Sequence, residues 1–265
     1  MAEPGGGGAL VVATWNVNSI KVRLAHVLDW IEQHQPDVLA LQEIKTVADE
    51  FPLDAFAARG YQAAVHGQKT YNGVALLTRR PLEDVQRGLP EHAGDEQARV
   101  VSGVVHGLRI VDVYVPNGQA VGSDKYAYKL QWLAALEKHF ADRHRPDEPL
   151  VVLGDFNIAP EPRDVYDPDL FAGEVLFSDA ERASFARLAA WGFVDLFRRF
   201  HDAGKLFSWW DYRMGAFRRN FGARIDHILV TPPLAERALA CEIDKAPRKL
   251  DKPSDHAPVV ARFRV

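Results

Sequence analysis

Only one cysteine, Cys241, occurs in the 265 residues, so no internal disulfide can form and a cysteine-built zinc site lacks its ligands. That scarcity predicts a reducing, intracellular setting. Long apolar runs are missing too, and none approaches the roughly 18–20 residues that a membrane span needs. The opening Met1–Gly8 carries Glu3, Pro4 and four glycines where a secretory leader would place basic then apolar residues. It is expected to be a floppy tail outside the fold. A large excess of charge is also absent. Lys and Arg number 32 against 36 Asp and Glu, a net of −4, which excludes a uniformly basic nucleic-acid coat but not a local basic face.

What is present is an ordinary globular composition, 47% apolar and 26% charged, in a chain long enough to bury a large core. Ala9–Asn16 and Asp37–Gln42 read as buried strands. They flank a helix that Ser19 could cap, with Val22, Leu24, Ala25, Leu28 and Ile31 at helical spacing, which is a βαβ pattern. Tyr61–His66, Gly73–Thr78, Ala98–His106 and Arg109–Tyr114 read as an antiparallel meander, with His106-Gly107 as a hairpin turn. Ser123–His144 and Ala180–Trp191 read as helices. Leu150–Leu153, Arg224–Thr231, Leu239–Lys245 and Ala257–Val265 read as strands. No Ser/Gly-rich linker divides the chain, so one α/β domain over 9–265 is expected. Its architecture is two stacked mixed sheets covered by helices on their outer faces.

Polar residues follow immediately after several of these strands: Asn16 and Asn18, Glu43, Tyr114 and Asn117, Asp155 and Asn157, Asp226, and Asp255 with His256. Any one of them could be a turn former or helix cap. Six strand ends with the same chemistry point instead to a hard, oxygen-rich site suited to Mg²⁺ or Mn²⁺.

The charge is unevenly placed. Arg198–Arg224 holds seven bases against two acids, interleaved with Trp209, Trp210, Tyr212, Phe217 and Phe221, whereas Asp142–Glu181 holds eleven acids against three bases. Rings among cations offer stacking as well as charge to a nucleic acid.

These residues resemble a known family. TWNVN at 14–18, LQEIK at 41–45, YVPNG at 114–118, GDFN at 154–157, RIDH at 224–227 and SDHAP at 254–258 occur in the order and spacing of the exonuclease III / apurinic-apyrimidinic endonuclease family. YNGVALLT, GFVDL and FSWWDYR add to the likeness, which runs from Ala9 to Val265. The resemblance implies a four-layer α/β sandwich of the deoxyribonuclease-I-like type. It also implies a Mg²⁺-dependent enzyme, with Mn²⁺ as a substitute, that cleaves DNA 5′ to abasic sites and processes 3′ ends. Glu43 would be the principal metal ligand with Asn18 and Asp255 nearby; Asn18 stands where the family often has an acid. Asp226 and His256 would form a dyad. The resemblance leaves water activation to that dyad or to Asp155, and Asp155 is favoured because Asn157 could orient water beside it. Asn16 and Tyr114 would donate to the phosphate.

For DNA binding the same resemblance implies Asn117 and Lys125, with Trp209 and Ile225 as walls of an abasic pocket and Arg213 inserted into the base stack. Ala223 replaces an aromatic that many relatives carry. Tyr166 and Asp167, in the proline-rich loop 158–171, are expected to bias internal cleavage against 3′ trimming. The implied protein is a bacterial cytoplasmic monomer working at the nucleoid on double-stranded DNA, without a membrane. Two alternatives stay open: a phosphatase acting on other phosphoesters, which the aromatic-basic loop opposes, and a silent DNA-binding module, which the intact acids and His256 oppose. Within the nuclease reading, a dominant 3′–5′ exonuclease with weak abasic cleavage is also open.

Overall fold

The computed structural model describes residues 9–265, and the expected tail Met1–Gly8 lies outside them. β1 (Leu10–Asn16) and β2 (Val38–Gln42) run parallel across α1 (Ile20–His34), the expected βαβ unit. After α2 (Leu53–Ala57), β3 (Gln62–His66) and β4 (Val74–Thr78) pair antiparallel, with β4 beside β2. β5 (Glu83–Arg87), β6 (Val100–Val105) and β7 (Leu108–Tyr114) follow, then α3 (Asp124–Arg143) and β8 (Leu150–Asp155), which lies parallel to β7. α4 (Pro168–Phe171), α5 (Asp179–Trp191) and β9 (Val194–Asp195) lead to a small ribbon of β10 (Trp209–Trp210) and β11 (Gly222–Ala223). β12 (Asp226–Val230), β13 (Ala238–Ile243) and β14 (Val259–Phe263) complete the strands.

Two six-stranded mixed sheets result, in the orders β13-β14-β1-β2-β4-β3 and β5-β6-β7-β8-β12-β9. Strand alternation sorts their side chains into layers. Val12, Val38, Leu76, Ile110, Val151 and Ile228 point into the space between the sheets. Ala13, Trp15, Leu39 and Leu41 point outward against Val27, Trp30 and Ile31 of α1. Val111, Val113 and Val152 pack outward against Trp132, Leu133 and Leu136 of α3 and Phe185 and Leu188 of α5. This is the four-layer sandwich.

Local details depart from the sequence reading. The four middle strands are not one meander: β4 turns back onto β2, while β6 and β7 belong to the facing sheet. β5 was not foreseen, because an edge strand reading Glu-Asp-Val-Gln-Arg is exposed and carries no apolar signal. Ser19 does not cap α1 with its side chain; its backbone sits at φ 90. The buried face of that helix is Ile20, Val27, Trp30 and Ile31, while Val22 faces solvent. His106 and Gly107, both at positive φ, do make the β6–β7 hairpin turn.

One close approach fixes the site's dimensions. Gly154 in β8 sits at φ 141, and a Cβ there would lie 1.9 Å from the Val113 carbonyl oxygen of β7. Without a side chain, β7 and β8 stay in ladder register and Tyr114 stands opposite Asp155 at their ends.

Candidate active site

Both sheets end their central strands at one edge. Asn16 closes β1, Glu43 follows β2, Tyr114 ends β7, Asp155 ends β8 and Asp226 opens β12. Asn16 links the sheets there: its amide donates to Glu43 Oε1 at 2.9 Å and to Asp155 Oδ2 at 2.9 Å, and its oxygen accepts from the Asn18 N–H. Ligand atoms of Glu43, Asp155 and His256 all lie within 4.8 Å of one another.

Left-handed backbone recurs here, at Asn18 (φ 45), Glu43 (φ 49) and Asn157 (φ 50). For a glutamate that conformation is costly and persists only when its surroundings fix it. The backbone around Glu43 is fixed on both sides. The Glu43 carbonyl accepts from Ser19 N, and the N–H groups of Ile44 and Lys45 bond the carbonyls of Gly73 and Asn72.

His256 is buried with Asp226. Its Nδ1 lies 2.9 Å from Asp226 Oδ2, and its Nε2 is 3.7 Å from Asp155 Oδ2. Burial would lower the ring's pKa, but the carboxylates of Asp226 and Asp155 outweigh it and raise it to about 10. The raised value favours the imidazolium, in which both nitrogens donate. Burial pushes Asp155 up, His256 pulls it down and Asp226 and Glu43 push it up again, leaving it at about 7. Burial and the carboxylates of Glu43 and Asp155 hold the Tyr114 phenol well above its usual range, so it remains a donor. Ser208, which sequence reasoning missed, donates to Asp226 Oδ2 at 2.6 Å and accepts from the N–H groups of Ile225 and Asp226. A serine before two tryptophans carries no chemical signal by itself.

Asn18 and Asp255, expected near Glu43, lie beside it and bond each other. Asn18 donates to Asp255 Oδ1 at 3.0 Å, and its amide oxygen accepts from Lys45 Nζ. Lys45 also lies 2.9 Å from Glu43 Oε2. Asp255 accepts from Trp209 Nε1 at 3.1 Å, and these partners with His256 hold it below the ordinary carboxylate range against its burial. The tight group is thus Glu43, Asp155 and His256, with Asn18 and Asp255 flanking it. Both amide protons of Asn16, expected as a phosphate donor, are engaged by carboxylates here. Asn157 Nδ2 donates to the Val115 carbonyl, its oxygen accepts from Asn117, and its N–H bonds Asp155 Oδ1 at 2.9 Å.

Tyr114, Asn117 and the exposed Lys125 line a cavity of about 740 Å³. Arg99 lies against the Tyr114 ring at 4.9 Å in the same cavity, another residue the sequence did not single out. Beyond the cluster, Trp209 packs half-buried on Ala159, Val165, Phe177, Ala223 and Ile225, and Ile225 is only 2% exposed. Ile225 therefore backs the Trp209 wall rather than presenting a surface of its own. Arg213 is exposed and forked onto Asp211. The basic run is also thinner than its count: Arg224 is fully buried against Asp164 and Asp195, and Arg198 joins it at Asp164. Arg248 lies over the rings of Phe217 at 4.9 Å and Trp210 at 5.8 Å. Tyr166 stacks on Phe221 at 4.6 Å, and Asp167 caps α4 through Leu170 N.

No described helix is long and apolar enough to cross a membrane. The family model described as endonuclease/exonuclease/phosphatase matches residues 13–256. The chain is 36% identical over 263 residues to exodeoxyribonuclease III of Haemophilus influenzae, covering 95% of this chain and 98% of that one. Among solved structures, a Neisseria 3′ phosphatase bound to product DNA hairpin superposes with a TM-score of 0.94 and 43% identity, over 97% of this chain and all of that one. An AP endonuclease from Archaeoglobus fulgidus gives 0.93 and 40%, with the same coverage.

Proposed function

The chain belongs to the endonuclease/exonuclease/phosphatase family, and from that membership we propose that it is a divalent-metal-dependent DNA-repair phosphodiesterase. It cuts 5′ to abasic sites, leaves a 3′-hydroxyl and removes blocked 3′ ends. The observation that carries the reading is the convergence of Glu43, Asp155 and the His256–Asp226 pair at one edge of two facing sheets.

The donor set suits a hard cation. Glu43 and Asp155 present carboxylate oxygens close together, and Asp155 is raised partly by its acidic neighbours, a repulsion that a divalent ion would relieve. Glu43 would hold Mg²⁺ or Mn²⁺, with Asn18 and Asp255 beside it. When bound, such an ion supplies neutralisation of a phosphate oxygen's charge. Asp155, buried at the end of β8 and 3.7 Å from His256, would accept the proton of an attacking water. Asn157 aims it through its backbone N–H. The His256 imidazolium and the Tyr114 phenol donate to the phosphate oxygens where negative charge grows.

Duplex DNA would lie across the same edge. The cavity holding Asn117 and Lys125 takes the strand on one side of the scissile phosphate. Trp209, backed by Ile225, meets the abasic sugar on the other, and Arg213 reaches the stack. An abasic nucleotide has no stacking to lose, so its extrusion costs less than that of a normal base. A monomer in the cytoplasm fits this reading. One solved relative is named for 3′ phosphatase activity and another for abasic cleavage, at nearly equal similarity.

An end-labelled duplex with one abasic analogue tests the proposal, with and without EDTA. Glu43→Ala and Asp155→Asn are each expected to lose about 10²–10³ in rate, the range for removing a direct transition-state contact. Full cleavage in EDTA, or by either variant, would refute it, as would hydrolysis of a phosphoinositide in preference to the duplex.

A further inference from the structure

Behind the site lies a charged pair that the proposed mechanism does not use. Lys129 of α3 and Glu181 of α5 form an ion pair in which both side chains are 0% exposed. Lys129 Nζ donates to the backbone carbonyl of Asn117 at 3.1 Å, to that of Asn157 at 2.7 Å, and to Glu181 Oε1. Its three protons thus have three partners, a tripod that an ammonium supplies and a planar guanidinium does not. Glu181 in turn accepts from Leu176 N at 3.1 Å and Ser178 N at 3.0 Å.

The two carbonyls belong to the segments that follow β7 and β8. Asn157 is left-handed there, its side chain bonds Asn117, and its N–H holds Asp155 Oδ1. A left-handed residue needs its peptide groups secured, and a carbonyl turned into the interior needs a donor. Lys129 meets both needs. The charges themselves are not needed for stability in general, because well-packed apolar replacements of buried ion pairs are often neutral or stabilising.

We infer that Lys129, held by Glu181, is a positioning residue for hydrolysis: it locks the backbone of Asn117 and Asn157 and so aims Asp155. The inference rests on the reading of Asp155 as the base. The test uses the full chain and an abasic-analogue duplex under single-turnover and steady-state conditions. Lys129→Met combined with Glu181→Gln removes both charges and leaves one amide oxygen, which can accept from Leu176 or from Ser178 but not from both. The expected result is a folded protein with a lowered melting temperature, because two interior carbonyls lose their donor, a KM close to wild type, and kcat lower by about tenfold to a hundredfold when assayed below the melting transition, as small misplacements of reacting groups produce. Lys129→Arg is expected not to restore kcat. A stable double variant with wild-type kcat, or a loss confined to KM, would overturn the inference.

If the double variant does not fold, Glu181→Gln alone decides, assayed below its own melting transition, since it keeps the side-chain length and an oxygen that can face Lys129; a fall in kcat at constant KM supports the inference and wild-type kcat overturns it. Asp155→Asn run in parallel separates the two claims. An active Asp155→Asn sinks the reading of the base itself, whereas an inactive one beside a fully active double variant sinks only the role of Lys129.

Discussion

His256 Nδ1 and Asp226 Oδ2 are 2.9 Å apart, both buried, in a chain where 30 residues separate them. The carboxylate raises the ring's pKa, and the other ring nitrogen lies 3.7 Å from Asp155. Asp226→Asn keeps the shape and removes the charge. Its expected outcome is a His256 titration, followed by NMR, that falls from about 10 toward the ordinary 6.5, with hydrolysis at pH 8 slower by about 10²-fold or more. The sign for stability follows from the raised value. The pair's contribution is complete below about pH 6.5 and is lost as pH climbs toward 10. An Asn variant with unaltered ring titration would break the link.

Lys45 and Asn18 leave the proposed metal edge one negative charge short of a two-acid arrangement. Asn18→Asp is expected to tighten Mg²⁺ binding by roughly tenfold, equivalent to about 1.4 kcal/mol. Calorimetric titration of the DNA-free protein measures it directly. Unchanged or weaker binding would show that residue 18 does not act on the ion.

Glu91 offers a pH effect on stability alone. Burial would raise its pKa, but Arg143 and His139, the latter 2.8 Å away, bring it down to about 2. With a depressed folded value, its contribution is present above about pH 4.5 and disappears as pH falls toward 2. Wild type should therefore lose more of its urea midpoint between pH 7 and pH 3 than Glu91→Gln does. Equal losses would mean that the pair contributes nothing.

Tyr166 stacks on Phe221 and lines a cavity of about 390 Å³ with Leu170 and Leu176. Tyr166→Gly opens that wall and should shift the ratio of abasic cleavage to 3′ trimming toward cleavage. Both rates are read from one labelled duplex set, and a constant ratio removes the idea.

Much of this was legible in the sequence because strand ends announce themselves. β1, β2, β7 and β8 are apolar runs that stop at Asn16, Gln42, Tyr114 and Asp155, and the fold brings those stops together. The sheet partners were not legible, since β4 carries the same apolar pattern whether it joins β2 or β6. Hydrogen-bond direction was hidden as well. A sequence shows that Asn16 and Asn18 carry amides, but not that one holds two carboxylates and the other faces Lys45. Lys129 was invisible because a lysine in a helix ordinarily faces water.

The glycine of GDFN determines how near Tyr114 can stand to Asp155. A methyl group at residue 154 would meet the Val113 oxygen at 1.9 Å, so even alanine must wedge the two strands apart. Loops around this edge can be reshaped toward other phosphoesters while the reacting groups keep their separation. Residue 154 has no such freedom, and a redesign of this scaffold has to begin by leaving it bare.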